Sequence, residues 1–208
     1  MFDVTYYINM KSRTDRRINM KHRLSELGIE SIRIEGINAG EYDTGNLVFG
    51  EQKKHLNNAE IGCFLTHHNL YKTILDEGHE TALILEDDAL FLEGYKEVVE
   101  QAMKDIPKDW DLLYLGQANY DSIKIAQSAE LKTHAIKENI AGQLFKASRC
   151  WLTHAYVVNR KALPKLIEGT QVLYASIDGV LADLQENLNV YAIYPNIVKQ
   201  DGTQSSIR

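Results

Sequence analysis

The sequence has 208 residues, 44% of them hydrophobic and 25% charged, with a formal charge of -6 and two cysteines. A chain of that size and apolar content buries a substantial core as a single domain, 1–208, so neither disorder nor a disulfide scaffold is expected. The acidic balance argues against nucleic acid as a partner, because phosphate backbones need a net basic surface.

In chain order, Val4 to Ile8 reads as a strand, Lys11 to Arg17 as a polar loop, and the segment through Leu27 as a helix stopped by Gly28. Ser31 to Ile37 alternates Ile32, Ile34 and Ile37 with charged residues and reads as a second strand. Asn38 to Asn58 carries little periodicity and is read as a long loop, of the kind that closes over a ligand or frames an acceptor site. From Ala59 to Glu77 the apolar positions Ile61, Phe64, Leu65, Tyr71 and Leu75 recur at helical spacing, and Gly78 ends the helix.

Thr81 to Leu85 is a short aliphatic strand that runs straight into Glu86-Asp87-Asp88. A helix over Glu93 to Asp105, a strand over Trp110 to Leu115, a polar stretch to Gln143 and a strand at Ala155 to Val158 follow. Helices at Lys161 to Glu168 and Gly179 to Asn187 and a strand at Val190 to Tyr194 complete the chain, with no internal repeat or linker. The alternation predicts an α/β fold with a mostly parallel central sheet flanked by helices.

Carboxylates at the carboxyl end of a central strand stand where open α/β sheets bind ligands. Three adjacent acids repel one another and lose hydration near a core, and a hard divalent cation offsets that cost. Mg²⁺ or Mn²⁺ held by one or two of them keeps open positions for diphosphate oxygens and stabilises a departing nucleoside diphosphate. Strict alternation would put Glu86 and Asp88 on one side and Asp87 on the other. Asp88 is assigned to the metal, Glu86 to the ribose or a metal-bound water, and Asp87 to either site or to the turn. The alternative is a solvated acidic turn.

Three segments together resemble glycosyltransferase family 25, which includes lipooligosaccharide galactosyltransferases and procollagen galactosyltransferases. They are Tyr7-Ile8-Asn9 with Arg13, Asp15, Arg16 and Arg17; Ala59 to His67; and Ala82 to Asp88, in the family's order. Weaker similarity continues through Trp110 to Gly116, Thr153 to Val158, Ile177-Asp178 and Pro195 with Ser205-Ser206. Thr66 stands where serine is usual, Asn159 likewise, and the C-terminal region is short for the family.

The resemblance implies a GT-A-like, Rossmann-like fold, a UDP-sugar donor (UDP-galactose most often), Mn²⁺ or Mg²⁺, and inverting transfer to a glycan acceptor. It places the chain in lipopolysaccharide or other cell-surface glycan synthesis. Localisation is expected to be cytoplasmic, with peripheral association at the inner face of the membrane where the acceptor is displayed. No stretch reaches the roughly 18 apolar residues of a membrane span.

The candidate donor-binding residues are Asn9, Arg13, Arg16, Arg17, Glu60, His67, Glu86 and Asp87. Arginines after a strand end can grip diphosphate oxygens, or can simply solvate a helix start. A helical wheel puts His68 in the apolar stripe and His67 on its flank near Glu60 and Cys63, with Cys63 a packing residue. The metal candidates are Asp88, Glu86 and His154, the last equally readable as a structural histidine. Asp178 is either a helix-capping acid or the general base that takes the acceptor proton. Competing functions are a metal-dependent phosphohydrolase or nucleotidyltransferase and an inactive sugar-nucleotide-binding homologue.

Overall fold

A computed structural model describes residues 1–41, 48–50, 56–118 and 135–202. β1 (Val4–Met10) leads through α1 (Thr14–Glu26) to β2 (Ile32–Gly36), and α2 (Asn58–Glu77) leads to β4 (Thr81–Glu86), with a two-residue β3 (Val48–Phe49) between them. β5 (Ala89–Phe91), α3 (Tyr95–Asp105), β6 (Leu112–Ala118), β7 (Ile136–Ala141), β8 (Leu144–Ala147) and β9 (Trp151–Asn159) follow. The chain then forms α4 (Leu163–Gly169), β10 (Val172–Leu173), α5 (Ile177–Leu184), β11 (Val190–Ile193) and β12 (Val198–Gln200).

Eight strands form one sheet in the order β2-β1-β4-β9-β6-β11-β8-β7. β1 pairs in parallel with β2 and β4, and β6 with β11, while β9 and β8 run against their neighbours. Six strands (β1, β2, β4, β6, β7 and β11) therefore share one direction, which is the mostly parallel α/β sheet that the alternation predicts. The reversed β9 in the middle matters for the site, because its first residues lie beside the carboxyl end of β4.

Period-two alternation gives the sheet two apolar faces. Tyr6, Ile84, Tyr114 and Tyr156 pack with Leu65 and Tyr71 of α2, Leu166 of α4 and Val180 of α5. Tyr7, Leu85, Leu113 and Val157 pack with Met20 and Leu24 of α1 and Val99 of α3. At about 25 cal/mol per Å² of apolar surface removed from water, burial on both faces is the main stabilising contribution.

α2 begins with a capping box in which Asn57 and Glu60 each accept from the other's backbone N–H, and it ends at Gly78, whose φ of 82° suits a residue without Cβ. Its first turns are pinned to the end of β2, where Thr66 Oγ1 accepts from Ile37 N at 2.9 Å.

Two sequence expectations are corrected. α2 buries His67 completely and leaves His68 partly open, bonded to Thr170 Oγ1 at 2.7 Å. The helix is wedged between the sheet and α4, so its buried face is broader than the apolar stripe of the sequence and takes in Thr66 and His67. The polar stretch before Gln143 contains β7, whose Lys137-Glu138-Asn139 centre is exposed at the sheet edge and carries no apolar alternation. Residues 42–47, 51–55 and 119–134, which fall in the two stretches read as loops, lie outside the described residues.

Candidate active site

β4 delivers its last residue, Glu86, to the α2 face of the sheet, and the chain then turns. The turn ends the alternation. Asp88 consequently comes round to the same guanidinium as Asp87, which corrects the expectation that it would share a side with Glu86. Arg16 Nη1 donates to Asp87 Oδ1 at 2.8 Å and stands 3.7 Å from Asp88 Oδ2. Asn9 Nδ2 donates to Asp87 Oδ2 at 2.7 Å, so both oxygens of Asp87 are held. Arg33 Nε in turn donates to Asn9 Oδ1 at 3.0 Å.

Asp88 is less well provided for. Gln200 Nε2 approaches Oδ2 at 3.4 Å, and Oδ1 is buried with no hydrogen-bond partner among the described residues. Burial pushes its pKa up to about 6, against the pull of Arg16 and with the push of Asp87 and Asp201. A buried carboxylate with one oxygen unpartnered fits a divalent cation. The short ribbon of β5 and β12 closes over this point, where Asp201 N donates to the Asp88 carbonyl at 2.9 Å and Arg23 pairs with Asp201 at 2.7 Å.

His154 is buried against the same ribbon, its Nε2 donating to Val198 O at 3.3 Å and its Nδ1 without a partner among the described residues. Gly116 is required for this approach: a Cβ there would lie 2.2 Å from both His154 Nε2 and Val198 O. Burial lowers the pKa of His154, so the imidazole is neutral and able to ligate.

Glu86 faces the other way. Thr153 Oγ1 donates to its Oε1 at 2.6 Å, and its pKa is pushed up to about 8 by burial first and then by Asp88, Asp178 and Asp87. Asp178 lies in the first turn of α5, where Ser176 Oγ and Gly179 N donate to Oδ1 at 2.6 and 3.0 Å. Both hydrogen bonds to Asp178 among the described residues fall on that one oxygen.

Since the folded pKa of Glu86 exceeds the ordinary value of 4.5, its contribution to stability is full below pH 4.5 and is lost as pH rises toward 8. Glu86→Gln cannot ionise and escapes that loss. Its melting temperature should match wild type near pH 4.5 and exceed it at pH 8.5, by about 4–8 °C for a gain on the order of 2 kcal/mol. Differential scanning calorimetry across that window checks it, and equal melting temperatures at pH 8.5 would refute the buried-acid reading.

Several sequence candidates stand elsewhere. Arg13 is taken up by Asp15 on the surface. Arg17 is exposed and lines, with Lys21 and Arg33, a cleft of about 830 Å³ between α1 and β2 that holds none of the three carboxylates. A smaller cleft of about 510 Å³ opens at the carboxyl ends of β1 and β2 and presents Lys11, Ser12, Glu35, Asn38 and Glu41. The capping box accounts for Glu60. Sequence reasoning missed Arg33, which lies at the charged phase of β2, and Thr153, near the start of β9, because neither carries a local signal for the site.

The sequence model of the family described as Glycosyltransferase family 25 (LPS biosynthesis protein) matches residues 2–181. The chain belongs to glycosyltransferase family 25. It is 33% identical over 130 residues to procollagen galactosyltransferase 2 of Mus musculus, covering 56% of this chain and 21% of the relative. With procollagen galactosyltransferase 2 of Homo sapiens it shares 29% over 180 residues, 80% of this chain and 27% of the relative. The human inactive glycosyltransferase 25 family member 3 is 28% identical over 130 residues, covering 56% and 22%. The chain thus spans about a quarter of the length of these family 25 relatives. Among solved structures, A197 from STIV superposes with a TM-score of 0.54 at 14% identity, covering 96% of this chain and 84% of that one, a likeness of fold alone.

Proposed function

We propose that this family 25 chain transfers a hexose, galactose in the first instance, from a UDP-sugar to a hydroxyl of a glycan acceptor, with inversion and with Mn²⁺ or Mg²⁺. The observation that carries the reading is the split triplet: Asp88, with an unpartnered buried oxygen, stands beside Arg16 of α1, and Glu86 meets Cys63 and His67 of α2.

Asp88 would hold the cation, and His154, buried against the same ribbon, offers Nδ1 as a nitrogen donor. When bound, the cation supplies positive charge to the diphosphate oxygens as the nucleotide leaves. Asp87, fixed by Arg16 and Asn9, holds the turn that presents Asp88. The cleft at the ends of β1 and β2 has the acceptors, Glu35 and Glu41, and donors, Lys11 and Ser12, to bind base and ribose. Glu86, protonated below about pH 8, can both donate to and accept from donor-sugar hydroxyls. Asp178 takes the acceptor proton on Oδ2 as the acceptor oxygen bonds to the anomeric carbon and the bond to diphosphate breaks. His67 and Glu60 contribute through packing and capping.

A role in lipopolysaccharide or other surface-glycan synthesis, at the membrane face where acceptors are displayed, is part of this proposal. No helix among the described residues is long and apolar enough to cross a membrane.

A thermal-shift screen of UDP, GDP and CDP, alone and as sugar conjugates, with Mn²⁺ or chelator, is the direct test. The expected result is stabilisation by UDP that needs Mn²⁺, about 2.7 kcal/mol at a hundredfold excess over Kd. Stabilisation by no nucleotide, or equal stabilisation in chelator, rejects the donor assignment. Similarity to a relative named inactive supports a second reading, a homologue that binds sugar nucleotide without transfer; NMR of the product anomer separates it from an inverting enzyme.

A further inference from the structure

On the α2 face, Cys63 and His67 project from successive turns of α2, and Glu86 meets them from the end of β4. Cys63 Sγ, a ring nitrogen of His67 and a carboxylate oxygen of Glu86 all lie within 4.8 Å of one another. We propose that Cys63, His67 and Glu86 form a second cation site, selective for a thiophilic divalent ion of the zinc class and separate from the hard-cation position at Asp88.

The donor set decides the class of ion. Thiolate, imidazole and carboxylate together are a zinc-type set, whereas Mg²⁺ and Mn²⁺ take oxygen-rich positions such as that of Asp88. Three protein ligands leave the fourth tetrahedral position open. Tetrahedral zinc holds its ligands roughly 3.5 Å apart, and the half-buried Cys63 is the ligand with room to adjust to that spacing.

The surroundings are arranged as outer-shell partners of metal ligands are. His67 is fully buried, its Nδ1 lies 2.8 Å from Tyr156 OH, and Nε2 has no hydrogen-bond partner among the described residues. Tyr71 OH lies 2.8 Å beyond Tyr156 OH. With Nδ1–H donating to Tyr156 and Tyr156 donating to Tyr71, Nε2 presents its lone pair; in the other tautomer Nε2–H would be a buried donor with nothing to bond. On the opposite ligand, Thr153 Oγ1 occupies Glu86 Oε1. Two of the three ligands, His67 and Glu86, are thus oriented from behind by a hydroxyl, as outer-shell partners orient metal-bound histidine and carboxylate.

The test uses the full chain, stripped with chelator and titrated with Co²⁺ as a spectroscopic stand-in for Zn²⁺. One equivalent should produce thiolate-to-cobalt charge-transfer absorption in the near ultraviolet, and Zn²⁺ should displace it. Cys63→Ser, which keeps size and should keep the melting temperature, abolishes the band and weakens Zn²⁺ binding at least about tenfold, and Tyr156→Phe weakens it about tenfold by releasing His67. Asp88→Asn leaves the band in place. No band at saturating Co²⁺, a band that survives Cys63→Ser and so belongs to Cys150, or a band lost in Asp88→Asn would each overturn the proposal. These readouts need neither nucleotide nor turnover, so the transferase reading stands or falls separately.

Discussion

Asp88→Asn is expected to remove the Mn²⁺-dependent stabilisation by UDP and to lower transfer by about 10²–10³-fold, while raising the melting temperature of the ligand-free protein. The two halves have opposite signs for one reason. Asp88 is buried beside a single guanidinium shared with Asp87, and its pKa is lifted to about 6. An acid whose folded pKa is raised gives its full stability below its ordinary value of 3.8 and loses it as pH rises through 6. At pH 7.5 the ionised carboxylate therefore weakens the free protein, and a neutral amide of the same shape relieves it. The same amide has no charge for the cation that the diphosphate needs. A misfolded variant would lose both activity and stability, so higher stability with lost UDP binding isolates the electrostatic role. Asp178→Asn gives the contrast: UDP and Mn²⁺ still bind, and turnover alone falls. Transfer by Asp88→Asn at the wild-type rate would remove Asp88 from the mechanism.

Where the sequence made the site legible, a local rule was enough. The aliphatic run Ala82 to Leu85 forces a buried strand, so the acids after it had to emerge at the sheet's carboxyl end, and they do. Asn9 and Arg16 were legible for the same reason, one at the end of β1 and one in the first turn of α1, because a parallel β1–β4 pair brings both loops to one edge.

What stayed illegible depends on contacts between distant segments. Period-two alternation stops where the chain turns, so Asp88 could not be placed from its phase, and only the folded chain brings it beside Arg16. His67 and His68 exchanged roles because a wheel sees the helix and not the α4 that covers its flank. β5 and β12 are three residues each and pair with one another across more than a hundred positions, so neither carries a periodic signal of its own. Yet that ribbon brings Gln200 and Asp201 to Asp88 and seats His154.

Arg16→Met should be the most destabilising single change in the site, costing roughly 3–5 kcal/mol because it leaves buried carboxylates without their cation. For a domain of this size that is a fall of about 6–20 °C in melting temperature. Arg16 is 6% exposed, and the acids it serves, Asp87 and Asp88, are 8% and 4% exposed, so water cannot take over its role. Removing the guanidinium also removes the influence that holds Asp88 down, so its pKa should climb further above 6. Arg13 and Arg17, adjacent in sequence and equally suggestive by composition, are solvated or paired at the surface, and alanine at either should leave the melting temperature near that of wild type. The double variant Arg16→Met with Asp87→Asn should recover part of the loss, since one of the two stranded charges is gone. Chemical denaturation of these four variants beside wild type decides the matter. If Arg16→Met costs no more than Arg17→Ala, the carboxylates are hydrated after all, and Asp88 has no electrostatic need of a cation.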